Sequence, residues 1–396
     1  MNMFIISLQL EYPEELHDLH DQLPLAPSQE TVTFDGLSPH AKRLYEKFYP
    51  ERKCRLKEKK LMATLENKKD YVTHVANLKL YLELGLKVKK IKRVISFRQK
   101  RFLDTFINHI TNLRSKAKTP FEIFQMKLIA NSSFGKFIED VFKYMTTKIV
   151  QNDQDVDKYV ATSNFSSFTI INEFIVALHS KPKSVTLNKG YAVGFTILEF
   201  AKFIMYSLLY KIILPNCPNY KILMHDTDSF LASIKGMSSE EFHSKLQNNF
   251  DFSKYPTEHP LFSTEHKNHL FLLKDELEGK KKIEEFIGLR SKCYSYRTST
   301  NNKISESKIC KGIKKNVIKK DLTFSMYKQC LKNEQLFRAE IVNIQSKNHL
   351  VQTIKQKKIA LSSFDSKRYL LDCGTHSYAV GHWRTKALNN ICPICN

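Results

Sequence analysis

The sequence predicts a mixed α/β fold, and three observations carry that prediction. Apolar residues make up 42% of 396 residues, enough for a sizeable core spread over two or three cooperating subdomains. Short apolar runs bounded by turn residues alternate with stretches whose apolar residues recur at helical spacing. No internal repeat and no long low-complexity tract interrupts that alternation.

Taken in order, residues 4–10 read as a short strand closed by Pro13, and a polar, proline-containing loop follows over 21–39. From 38 to 84 the pattern reads as helical and strongly basic, with Ser38 as a capping residue ahead of Pro39 and a stop at Gly85. Residues 86–95 space their apolar side chains irregularly but fit a half-buried strand with a basic outer face. Phe102, Phe106, Ile110 and Leu113 recur at helical spacing and predict a helix over about 98–117. Lys118-Thr119-Pro120 breaks it, and a second helix over about 121–144 makes the pair an antiparallel hairpin. The apolar stretch 193–214 is interrupted by Glu199, Lys202 and Lys211, which favours a buried amphipathic helix in a soluble protein over a membrane span. Pro215 and Pro218 lead into a strand at 220–224, a turn at 225–229 and a returning strand at 230–234. Two further strands, 269–274 and 283–289, flank a turn at Glu278-Gly279. Beyond about residue 300, strand and helix signals mix without clear boundaries.

The 63 Lys and Arg against 40 Asp and Glu leave a formal charge of +23, which points to a polyanion partner, nucleic acid ahead of an anionic membrane surface. Eight cysteines, scattered apart from Cys392 and Cys395, read as reduced thiols of an intracellular protein and not as a disulfide framework. The first ten residues lack a basic start and a small-residue cleavage site, so they are not a secretory signal.

Two motifs carry chemistry. In His225-Asp226-Thr227-Asp228-Ser229, two apolar strands surround an acidic turn. Residues two apart share a face of a strand, so Asp226 and Asp228 can hold a divalent ion between them, as phosphoryl transfer requires. Alone, the segment reads more readily as ordinary turn chemistry. On the second helix, Lys127 and Asn131 stand four apart on one face with Phe134 close by, a cation, an amide and a ring suited to a triphosphate, a sugar edge and a base. Gly135 would admit a close approach, and Ser132 belongs to the same run. Without the acidic turn this helix too is better read as a solvated charge beside a core ring.

Together, Lys127-x-x-x-Asn131-Ser132-x-Phe134-Gly135 and Met224-His225-Asp226-Thr227-Asp228-Ser229, in this order and about 90 residues apart, resemble the Lys-x-x-x-Asn-Ser-x-Tyr-Gly and Tyr-x-Asp-Thr-Asp-Ser motifs of family B DNA polymerases. Segments 10–20, 194–199, 285–296 and 356–368 narrow the resemblance to the protein-primed branch, in particular the polymerases of Maverick/Polinton-type DNA transposons and related viruses, and extend it over nearly the whole chain. The resemblance implies a right-hand fold of palm, fingers helix hairpin and thumb, without an exonuclease domain. It divides the chain into an N-terminal palm part with a basic insertion (1–90), fingers (91–150), palm with the catalytic hairpin (151–290) and thumb with a tail (291–396). It implies catalytic and metal-binding roles for Asp226 and Asp228, nucleotide binding by Lys127, Asn131, Ser132, Phe134 and Gly135, and DNA binding by Arg290, Lys292 and Tyr294 on a basic, aromatic strand. It further implies Mg2+, with Mn2+ as a substitute. Primer-template DNA and deoxynucleoside triphosphates would be the partners, with a terminal protein as primer and no membrane, at a nuclear or viral replication site.

The chain also departs from the family pattern. Phe134 and Met224 stand where the motifs carry Tyr, the Phe keeping the ring and losing one hydroxyl. No Asp-x-x-x-Leu-Tyr-Pro segment precedes Lys127, and Gln9 stands where relatives often carry Asp. The expectation is therefore the C-terminal portion of a longer polymerase or a decayed copy of one. The alternatives are a catalytically inactive remnant that only binds nucleic acid, and another metal-dependent nuclease or transferase using the Asp226/Asp228 turn. The Cys392/Cys395 pair, with His376 and His382 upstream, reads more readily as free thiols in a tail than as zinc ligands.

Overall fold

Apolar residues at Ile6, Leu8 and Leu10 alternate along the strand Asn2–Glu11, which pairs antiparallel with Lys68–His74 and also neighbours Lys87–Arg98 in a three-stranded sheet. The computed structural model describes residues 2–52, 54–267, 269, 271–300, 303–347, 350–387 and 391–395. The described residues divide into two units, one within 98–199 and 342–356, the other within 2–97, 200–341 and 357–395.

In the larger unit Ser38 accepts a hydrogen bond from the Ala41 amide and starts the helix Pro39–Phe48, as the sequence predicts. The helical reading of the following basic stretch is corrected. Lys57–Met62 pairs with Ser28–Thr33, Lys68–His74 joins the first strand, and helix resumes only at Val75–Glu83. Lys, Glu and Leu favour helix locally, but Tyr71 and Thr73 are buried at period two, and pairing across the sheet overrides propensity. The strand Lys87–Arg98 is present but mostly exposed, with Ile91, Val94 and Ile95 all about half open to solvent.

One apolar cluster gathers the first strand, the helix Val75–Glu83 and the segment around Tyr206, Leu209 and Ile213. That segment is the C-terminal part of the long apolar helix, α-helical over Tyr191–Ser207 and π-helical over Leu208–Ile213. By length and composition Tyr191–Asn216 could cross a membrane, but the Tyr206 and Tyr210 hydroxyls donate to the carbonyls of Pro24 and Leu23, which makes this end a core helix of the larger unit. A second cluster lies between the meander Lys282–Arg290, Cys293–Thr300, Lys303–Cys310 and the helix Phe324–Lys332. A third surrounds the helix Pro39–Phe48. The segment read as a strand over 269–274 contributes a single bridge, Leu273 to Phe250, among its described residues, and Leu270 lies outside them. The Tyr12 hydroxyl accepts from the Leu25 amide and bonds His20 Nδ1, so the Glu11-Tyr12-Pro13 segment builds core.

The smaller unit holds a sheet in which Ile175–Ser180 runs antiparallel between Thr146–Val150 and Phe165–Asn172. Its helices Asp104–Lys116 and Pro120–Phe137 form the expected hairpin, each shorter than the sequence suggests. Thr119 and Glu122 close a reciprocal capping box at the second helix, with Pro120 in its first turn.

Candidate active site

The strands Tyr220–Asp226 and Ser229–Ile234 form an antiparallel hairpin whose two-residue tip is Thr227-Asp228. Such tight tips favour residues that accept a left-handed backbone, usually Asn or Gly. Here Thr227 does so, at φ 60°, a costly conformation for a β-branched residue. The tip is held by the Asp228 amide on the Asp226 carbonyl at 2.7 Å and by the Ser229 hydroxyl on the same oxygen. Asp228 is exposed and Asp226 partly so, which leaves two carboxylates at the end of a stiff ribbon. Beside them His225 is half-buried against Phe230, and its partial burial lowers its imidazole below the ordinary histidine value.

A second tight tip, Ser291-Lys292, joins Lys282–Arg290 to Cys293–Thr300. Lys292 also has a left-handed backbone, at φ 58°. Its Nζ lies 2.9 Å from Asp226 Oδ1. The structure thus brings two of the sequence-derived motifs into contact, and it corrects the position of Lys292, which sits on a hairpin tip and not within a strand. Tyr294 follows on the strand, near-parallel to Tyr296 and beside Phe286. Burial first, then the charges of Tyr296 and Asp226, raise its phenol above the usual value. Arg290 donates to the Ser362 carbonyl at 3.1 Å and lines a cleft of ≈ 310 Å³ with Tyr49, Arg52, Lys60, Phe364 and Lys367. Sequence reasoning missed this basic, aromatic cleft, because its lining comes from segments far apart in the chain.

In the smaller unit, Lys127, Asn131 and Ser132 are exposed on the helix Pro120–Phe137, and Phe134 and Gly135 are partly buried. A Cβ at Gly135 would meet no atom within 4 Å, so the protein itself does not demand glycine there. It does at Gly194, which sequence reasoning singled out only as the start of a family-like segment: a Cβ would come 2.1 Å from the Ile138 side chain, at the end of this helix. Glu139, bonded by Lys136, Tyr144 and Lys189, is held down at about 2.

The donors at the Asp226/Asp228 tip are hard carboxylate oxygens, a chemistry that fits Mg2+ or Mn2+. Among the described residues, three or more metal-binding side chains converge at one place only, the group of Cys373, His376, Cys392 and Cys395. The tip therefore offers two side-chain ligands of its own.

No curated protein and no solved structure matches the chain. Residues 30–208 match the family model described as DNA polymerase type B, organellar and viral, a span that includes the Lys127 to Gly135 motif and ends before the acidic hairpin. Over that span the chain is similar to type B DNA polymerases.

Proposed function

We infer that this chain is the palm, fingers and thumb portion of a DNA polymerase that transfers deoxynucleotides to a DNA 3′ end under template direction. The observation that carries the reading is the contact of the Asp226-Thr227-Asp228 tip with Lys292, since it joins a metal-type carboxylate pair to a cation suited to a primer phosphate. Asp226 and Asp228 would hold the divalent ion, Mg2+ or in its place Mn2+, which when bound lowers the barrier to phosphoryl transfer. Lys127, Asn131, Ser132, Phe134 and Gly135 would bind the incoming nucleotide, and Arg290, Lys292 and Tyr294 the primer-template. The net charge of +23 suits that polyanion. Resemblance to the protein-primed branch, and within it to Maverick/Polinton-type polymerases, suggests a terminal protein as primer and replication inside the cell.

A second reading, an inactive copy that only binds DNA, is favoured by one observation. Among the described residues no third potential ligand converges with Asp226 and Asp228. Primer extension by the purified chain, with Asp228→Ala as control, separates the two. Mg2+-dependent incorporation that falls at least about 10³-fold in Asp228→Ala supports the polymerase. Salt-sensitive DNA binding without incorporation supports the remnant.

A further inference from the structure

Two short pieces of chain meet near residue 376. Cys373 and His376 lie in the loop of the hairpin Arg368–Leu370/Ser377–Ala379, and Cys392 and Cys395 lie beyond the helix Arg384–Ala387. The spacing Cys-x-x-His, fifteen residues, Cys-x-x-Cys is that of paired metal-binding knuckles. His376 Nδ1 stands 3.4 Å from Cys373 Sγ, 3.6 Å from Cys392 Sγ and 3.5 Å from Cys395 Sγ, and all four ligand atoms lie within 4.8 Å of one another. A tetrahedron with zinc roughly 2.3 Å from sulfur and about 2.05 Å from nitrogen separates nitrogen from sulfur by about 3.6 Å. Three independent contacts agree with that edge. Gly374 gives the first knuckle its tight turn at φ +70°.

Core packing does not account for the cluster. Cys392 is 2% exposed yet belongs to none of the three apolar clusters, and neither does Cys373. His382, the other histidine the sequence suggests, is otherwise engaged. Its Nδ1 accepts from the Arg384 amide, and its Nε2 faces Asp18 at 3.4 Å. Cys373 stands as the fourth ligand in its place.

We propose that Cys373, His376, Cys392 and Cys395 form a closed, tetrahedral zinc site. Three thiolates and one imidazole select a soft, tetrahedral ion, and four protein ligands leave no open position for a substrate, so the site is structural. It fastens residues 391–395 to a hairpin that is itself anchored, since Arg368 pairs with Asp21 and the Ala379 amide donates to the same carboxylate at 2.6 Å. The inference stands apart from the polymerase reading.

The test is metal analysis of the full chain, purified reduced and passed through a weak chelator. About one zinc per chain is expected, and Co2+ exchange should give the visible bands and thiolate charge-transfer absorption of a tetrahedral sulfur site. Cys395→Ser, at an exposed position, should weaken zinc binding at least about tenfold, while Cys54→Ser, exposed and outside the cluster, should leave it unchanged. If Cys395→Ser does not fold, the Co2+ spectrum of the unaltered chain decides. A chain that holds no zinc, one that holds iron instead, a metal-free Cys392–Cys395 disulfide, or zinc retained by Cys373→Ser/Cys395→Ser would each overturn the proposal.

Discussion

The acidic tip at residues 226–228 and the cysteine cluster at residues 373–395 are opposites as metal sites. The tip presents two hard carboxylates, open to solvent, with one already engaged by Lys292. The cluster presents four ligands, three of them soft, with tetrahedral edges and Cys392 buried. The difference teaches what each ion would be for. A site that turns over must leave coordination positions to substrate and water, so its protein contribution stays small. A structural site fills every position itself.

Four substitutions break or sharpen that contrast. The largest effect is expected for Asp228→Ala, which should abolish metal-dependent incorporation while zinc content stays the same; loss of both would merge the two sites. Next comes the scaffold beside the cysteine hairpin. Burial holds the His20 imidazole down at about 4, against 6.5 unfolded, and His20 adjoins the Asp21 clamp of the cysteine hairpin. The unfolded chain therefore takes up a proton that the folded chain refuses. Its contribution is complete above about pH 6.5 and is lost as pH falls through about 4, on the order of 3 kcal/mol. Melting temperature against pH should fall over that window, and the fall should flatten in His20→Gln.

Lys292→Met should act in two directions at once. On the proposed reading it removes a phosphate contact, so the salt dependence of DNA binding should drop by about one unit of slope. It also frees Asp226, so Mn2+ binding to the DNA-free chain should tighten several-fold, read by direct titration. Unchanged values of both would detach Lys292 from the site. The smallest effect is Thr227→Asn, which eases a left-handed β-branched residue and should add up to about 1 kcal/mol of stability, measured by denaturant unfolding.

Local chemistry was legible in the sequence. Ser38-Pro39, the break at Lys118-Thr119-Pro120 and the acidic turn all form the cap, helix start or turn that their residues dictate. What escaped depends on partners far along the chain. Lys57–Met62 and Lys68–His74 read as helix because their lysines and leucines favour it, and only pairing with Ser28–Thr33 and Asn2–Glu11 makes them strands. Cys373 counts in the sequence among scattered thiols, and its Cys-x-x-His spacing to His376 gains meaning only once the hairpin loop meets Cys392 and Cys395. Lys292 read as a strand residue because its neighbours alternate, yet the chain turns there.

The Lys292–Asp226 pair has a thermodynamic corollary. A cation that takes Asp226 releases a positive charge for a phosphate, and a phosphate that draws Lys292 away leaves a carboxylate for a cation. Were both ligands to bind as proposed, linkage would make this reciprocal: metal and polyanion would each raise the other's affinity by the same factor. On the proposed reading the contact would be an exchange junction, at which two ligands of opposite charge recruit one another by releasing a bond within the protein.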